Sequence, residues 1–288
     1  AAGWRTLVHD RDETKPAVRD ALRARGLDVV ADRKKKASQY GSNLDRALTK
    51  HVRSLSVSKS AFLETAASGK RIGALISGGK DSLYAAFLLD RFRYRLACMI
   101  SVESKNPDSY MYHTPTAQLL PAIADRLGLP LVLEETHGVA ESELDALRRA
   151  FTDAIREHEI SGIGCGAIKS NYQRDRLLLL CEEHGLSLHA PLWQFDELTY
   201  ARQLDENGFH AIVTRVSADG LSDNDVSREF SAEWAQSLSE RGISAIGEGG
   251  EFETLVLNCP LYREPLSVKL EGVDKEGLDA IGRFSLNE

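Results

Sequence analysis

Ile72-Gly73-Ala74-Leu75-Ile76, running straight into Ser77-Gly78-Gly79-Lys80-Asp81-Ser82 and then Leu83-Tyr84-Ala85-Ala86-Phe87-Leu88-Leu89, is the stretch on which the fold turns. A short strand apolar on both faces suits the middle of a parallel sheet, and the apolar run behind the turn supplies a helix. Between them, Gly78 and Gly79 let the backbone turn sharply and approach a ligand, so that N–H groups at the helix start converge on an anion. Ser77, Lys80 and Ser82 add two hydroxyls and a positive charge around that helix start. The run is not a Walker A loop, because Gly73 stands one position out of register and Asp81 follows Lys80 where a hydroxyl residue is required. It reads as a nucleotide site of another kind.

The 288 residues, 42% hydrophobic and 27% charged, describe a globular chain of one large or two small domains. No stretch approaches the roughly 20 apolar residues that span a bilayer, and the first residues do not resemble a signal peptide; the expected compartment is the cytoplasm. Cys98, Cys165, Cys181 and Cys259 lie far apart, so the expectation is four buried, reduced thiols rather than a zinc site or a sulfur relay. The net charge of −7 hides an asymmetry, since residues 1–70 carry 15 Lys/Arg against 8 Asp/Glu and the remainder is acidic. With Arg33-Lys34-Lys35-Lys36 and a serine-rich stretch from Ser54 to Ser60, residues 1–70 are expected to be a basic extension, partly disordered; the alternative is an arm that touches RNA or a ribosomal partner.

From Arg71 onward apolar strands alternate with amphipathic helices, the pattern of a Rossmann-like α/β parallel sheet. Strands are expected at Leu96 to Val102, Leu131 to Glu134, Gly162 to Ile168 and Leu186 to Leu192. Helices are expected at Thr116 to Leu127, bent at Pro121, at Glu141 to His158 and at Gln173 to Glu183. Past Pro191-Leu192-Trp193 come a helix near Leu198 to Glu206, a strand Ala211 to Val216, a helix Val226 to Glu240 and a strand Thr254 to Leu257. The expected organisation is a nucleotide-binding domain over 71–192, a smaller α/β substrate-binding subdomain over 193–270 and a tail over 271–288.

Three further runs carry chemistry. Glu248-Gly249-Gly250-Glu251-Phe252-Glu253-Thr254 crowds three carboxylates before an apolar strand, which predicts a positively charged occupant to relieve their repulsion. Gly166 to Arg176 lies where a strand ends and a helix begins, the edge at which open α/β sheets bind ligands; Arg174 is placed to meet an anion, and Ser170 or Tyr172 to orient a substrate. Asp108-Ser109-Tyr110-Met111-Tyr112-His113-Thr114 follows the second strand, and a lone His113 is more often structural than catalytic.

Ser77 to Ser82 resembles the PP-loop of the ATP pyrophosphatases, enzymes of adenine nucleotide alpha hydrolase-like fold that split ATP between its α and β phosphates. With Ser109 to His113, Gly166 to Arg176, Pro191-Leu192-Trp193, Glu248 to Thr254 and Cys259-Pro260-Leu261 in the same order, the chain resembles the diphthine–ammonia ligase family from Arg71 to about Val268. It departs from the family pattern at Ser222 to Arg228. The resemblance implies ATP-dependent amidation of the diphthine carboxylate on translation elongation factor 2 through an acyl-adenylate, with ammonia as nucleophile and ATP and Mg2+ as cofactors; neither a membrane nor a nucleic acid is expected as partner. It gives Ser77, Gly78, Gly79, Lys80, Asp81 and Ser82 to ATP, with Asp81 also organising the metal. Lys80, Asp81, Arg174 and Glu251 are the expected catalytic residues. His113, Ser170, Tyr172, Gln173, Glu248, Gly249, Gly250, Glu251, Glu253 and Thr254 are expected to meet substrate, and which glutamate holds the trimethylammonium and which the ammonium stays open. The competing readings are a PP-loop enzyme that modifies tRNA and an ATP sensor without chemistry.

Overall fold

The computed structural model describes residues 69–104, 117–136 and 140–287. The basic extension expected over 1–70, all but its last two residues, and His113 lie outside the described residues. Strand β1 (Arg71–Leu75) is the middle of a parallel five-stranded sheet, with β2 (Arg95–Ser104) and β3 (Leu131–Thr136) on one side and β4 (Gly162–Gly164) and β5 (Ser187–His189) on the other, in the order β3-β2-β1-β4-β5. The chain therefore builds outward from β1 in one direction, then returns to build in the other. The gap between β1 and β4 is the switch point at which such sheets hold ligands.

Helices α1 (Lys80–Arg91) and α2 (Leu120–Leu127) cover one face of the sheet, while α3 (Ala140–His158) and α4 (Asn171–Glu183) cover the other through Leu147, Phe151, Leu177 and Leu180. A 3-10 turn, Ala117–Leu119, leads into α2, and Pro121 sits in the first turn of that helix rather than bending it, since a proline there loses no hydrogen bond. Beyond the sheet, α5 (Glu197–Glu206) and α6 (Ala232–Glu240) pack on a second, antiparallel sheet of β6 (His210–Val216), β7 (Phe252–Asn258), β8 (Val268–Glu276) and β9 (Asp279–Leu286), ordered β7-β6-β9-β8. One core joins the two sheets: Tyr84 and Phe87 of α1 meet Tyr200 and Phe209, with ring centroids 5.1–5.6 Å apart. Each such aromatic pair contributes about 0.5–1.5 kcal/mol beyond the area it buries. The described residues make a single compact unit.

Four further expectations are corrected. The helix expected from Val226 starts only at Ala232, where Ser231 caps it by accepting from Trp234 N; residues 226–230 run along β6 instead, with Ser227 in the left-handed region at φ 70°. The fourth strand ends at Gly164 and the fifth is confined to Ser187–His189, both shorter than expected. The tail expected over 271–288 is the greater part of a hairpin, β8 and β9 turning at Gly277. The smaller α/β subdomain is present as expected, its sheet antiparallel and completed by this hairpin.

Arg215 on β6 clasps that sheet, its guanidinium shared between Asp279 (2.9 Å) and Glu253 (3.3 Å). Asp279 takes the closer contact and is held below its ordinary range, by a hydrogen bond from Ser217 and by Arg215. Burial pushes the Glu253 carboxyl up to about 7 against the pull of Arg215. A carboxyl raised in the folded state favours folding while protonated, so its contribution is full below pH 4.5 and is lost as pH rises to about 7. Glu253→Gln removes this loss. Its melting temperature relative to wild type is expected to climb between those values and then level off, which thermal melts across that range will check.

Candidate active site

A cavity of about 470 Å3 opens at the C-terminal ends of β1, β2 and β4, at the switch point. One wall is the turn from β1 into α1. Gly78 lies at φ 89°, a conformation that other residues rarely adopt, and its carbonyl accepts from Val256 N (2.9 Å), which fixes the turn against β7. Gly79 stands at the N-cap of α1 without a side chain to offer, so the first-turn N–H groups receive no cap from that residue. Lys80 N is nonetheless satisfied, donating to Thr254 Oγ1 (3.1 Å). The hydroxyls of Ser77 and Ser82 lie 3.4 Å apart on the cavity wall, and Ser82 Oγ donates to Gly79 O (2.9 Å). Gly166, beyond β4, packs so tightly on this turn that a Cβ would stand 2.7 Å from Asp81 C and from Ser82 N.

The remaining walls divide by polarity. Leu75, Ile100, Val102, Cys165 and Leu177 make an apolar end, with Ser101 held by its hydrogen bond to Ile76 O (2.9 Å). Ser170 and Gln173 at the start of α4 and the strip from Gly247 to Gly250 make a polar one. Glu248 Oε1 accepts from Lys169 N (2.8 Å) and Ser170 N (3.2 Å), tying that strip to α4. Glu197, at the start of α5, anchors it from the other side: one oxygen pairs with Lys169 Nζ and the other accepts from Ala245 N (3.0 Å). Burial, reinforced by the nearby Asp81 charge, raises the Glu248 carboxyl above its ordinary range.

Several expected site residues point elsewhere. The Lys80 ammonium does not reach the cavity; it is buried behind the turn, donating to Ile246 O (2.6 Å) and Asp81 Oδ2 (3.1 Å) and lying 5.4 Å from the Phe230 and Phe252 ring centroids. Asp81 lines the cavity with both oxygens engaged, because Oδ1 accepts from the buried Tyr200 hydroxyl (2.8 Å). Burial and the Asp81 charge hold that phenol well above its ordinary range, so it stays a donor. The Arg174 guanidinium stacks on Trp193 at 4.1 Å and pairs with Asp175; Arg176 covers Tyr172. Glu251 turns back on its own loop to accept from Gly249 N (2.8 Å), Glu253 faces Arg215, and Thr254 Oγ1 serves the Lys80 amide. The structure thus brings Ser77, Asp81, Ser82, Ser170, Gln173, Glu248, Gly249 and Gly250 together around one space. It adds Gly166, Ser101, Tyr200 and Glu197, of which Gly166, by its place at a strand end, carried a readable signal.

A glycine turn feeding a helix at the switch point of a parallel sheet, faced by hydroxyls and uncapped N–H groups, defines an α/β enzyme of PP-loop type. Residues 70–188 match the family model described as diphthamide synthase N-terminal domain, and residues 196–284 match the one for its C-terminal domain. The diphthine–ammonia ligase of Danio rerio is 31% identical over 219 residues, which are 69% of this chain and 86% of that protein; the Mus musculus enzyme is 30% identical over 220 residues, 69% and 82%. A solved structure from Methanocaldococcus jannaschii, described as a predicted subunit of tRNA methyltransferase, overlaps at TM-score 0.36 and 20% identity, covering 66% of this chain and 98% of that one. This chain belongs to the diphthamide synthase family, whose curated relatives are ligases.

Proposed function

We propose that this chain amidates the diphthine carboxylate of translation elongation factor 2 at the expense of ATP, in the cytoplasm, with ammonia as nucleophile and AMP and pyrophosphate as by-products. The observation that carries the reading is the facing of two unlike walls across one cavity: an anion-binding turn at Ser77 to Ser82 and a carboxylate-bearing strip at Glu248. The apolar end suits a purine, and the hydroxyls with the uncapped start of α1 suit its phosphates. A carboxylate is a poor electrophile. Joined to AMP as a mixed anhydride it gains a good leaving group, and ammonia then displaces AMP.

Among the described residues no group of three or more His, Cys, Asp or Glu side chains is disposed to hold a metal. Asp81, whose oxygens each accept one hydrogen bond and keep a further lone pair, would with the neighbouring Ser77 and Ser82 hydroxyls suit a magnesium ion, which is held mostly by phosphate oxygens and water and needs one or two carboxylates. Bound there, the ion would neutralise charge on the phosphates. Lys80 and Tyr200 fix the position of the Asp81 carboxylate at the edge of that space, and the backbone around Gly78 and Gly79 presents the N–H groups. The tRNA-modifying alternative finds no support in the cysteines, all four buried and unpaired with thiols held above their ordinary range by burial. No helix among the described residues is long and apolar enough to cross a membrane.

Mass spectrometry of elongation factor 2 from cells lacking this gene tests the proposal. Diphthine is expected to accumulate with no diphthamide; normal diphthamide content would overturn it.

A further inference from the structure

We infer that Glu248 is the proton acceptor for the nitrogen nucleophile, holding ammonium in the cavity through Oε2 while Oε1 stays pinned to the start of α4. The inference rests on the amidation reading above and separates roles that the three glutamates leave open in the sequence.

Elimination carries the first half of the argument. Glu253 is committed to Arg215, and Glu251 to Gly249 N on its own loop; neither lines the cavity. Asp81 lines it, but Tyr200 and Lys80 each hold one of its oxygens, and the lone pairs that remain are those assigned above to magnesium. Glu248 lines it with one oxygen fixed by two backbone donors, while Oε2 accepts no hydrogen bond from any described residue. A side chain anchored at one oxygen and open at the other is oriented without being neutralised, as a base must be.

The surroundings carry the second half. From α1, Asp81 adds negative charge and Lys80 offsets it; from α5, Tyr200 contributes a protonated phenol; from the loop before α4, the Lys169 ammonium is turned to Glu197. Burial makes the Glu248 carboxylate more basic than one in water. The open Oε2 on the cavity wall is a carboxylate oxygen suited to a small cation, so ammonium enters as an ion. As it meets the acyl-adenylate, one proton passes from nitrogen to Glu248 Oε2 and the nitrogen lone pair forms the C–N bond. The C–O bond to AMP breaks with its electron pair on the phosphate oxygen. The adduct nitrogen sheds a second proton to water, and Glu248 returns its own to water, leaving the amide, AMP and two protons.

Hydroxylamine separates this role from adenylation. It is largely unprotonated at neutral pH and attacks acyl-adenylates without a base, giving a hydroxamate. With diphthine-bearing elongation factor 2 and ATP at pH 7, Glu248→Gln is expected to lower amide formation from ammonium by about 100-fold or more. Hydroxamate formation with hydroxylamine should fall by at least about tenfold less than amide formation does, and the hydroxamate that remains shows that the variant is folded. Amide formation by the variant should climb with pH as free ammonia accumulates, and Glu248→Asp should recover part of it at pH 7. Equal loss with both nucleophiles, or loss with neither, overturns the inference. If wild type yields neither AMP nor hydroxamate, the adenylation reading itself has failed, and the role of Glu248 falls with it.

Discussion

Gly166→Ala is expected to weaken binding of an ATP analogue by at least about 100-fold, or roughly 2.7 kcal/mol, with melting lowered by only a few degrees. The reason is steric and local. The new Cβ would sit 2.7 Å from two backbone atoms of the Asp81–Ser82 peptide, closer than real Cβ atoms come, and neither can swing aside as a side-chain tip would. Either β4 retreats or the first turn of α1 tilts, and both movements pull apart the N–H groups and hydroxyls meant for the phosphates. The clash is confined to this turn and the end of β4, so the fold should survive. Isothermal titration with a non-hydrolysable analogue, paired with a thermal melt, reads both quantities; affinity within about threefold of wild type would mean that this turn does not hold the phosphates.

Lys80→Ala should behave in the opposite sense, costing the fold more than it costs ATP affinity. The ammonium is buried, and removing it leaves Ile246 O without its donor, Asp81 Oδ2 without its cation and a void between the Phe230 and Phe252 rings. Leaving the buried Ile246 carbonyl without its donor costs about 1–3 kcal/mol, which for a unit of this size lowers the melting temperature by roughly 2–12 °C. AMP formation should fall as well, because Asp81 then keeps only Tyr200 to orient it. Lys80→Met restores the volume without the charge and should recover part of the stability but not the activity. If Lys80 were instead a phosphate ligand, alanine would abolish ATP binding and leave melting unchanged, and that result would contradict the arrangement described here.

The contrast between these two residues shows how far sequence reading reaches. Strand, glycine turn and helix over residues 72–89 were legible because apolar periodicity and glycine placement are properties of chain order. The direction of the Lys80 side chain was not, since it depends on a carbonyl at Ile246 and two rings at Phe230 and Phe252, more than 140 residues along the chain. Val226, Phe230, Trp234 and Leu238 recur every four residues and so suggest one helix, yet Ser227 adopts positive φ and Ser231 caps a later start. The apolar run through Ile168 overstates β4 because Ala167 and Ile168 are buried after the ladder has ended. The β8–β9 hairpin has one face largely exposed and hence a weak apolar pattern, which hid it in a presumed tail. Arg174 and Arg176 carry the residue type that an anion site requires, but stack on Trp193 and Tyr172.

The central claim is that Ser77 to Ser82 and Gly166 cradle the phosphates of ATP. A crystal structure with α,β-methylene ATP tests it most directly. The account predicts phosphate oxygens on the Ser77 and Ser82 hydroxyls and the first-turn N–H groups of α1, with the purine at the Leu75 and Ile100 end of the cavity. A nucleotide bound elsewhere, with this turn free of phosphate, would contradict it.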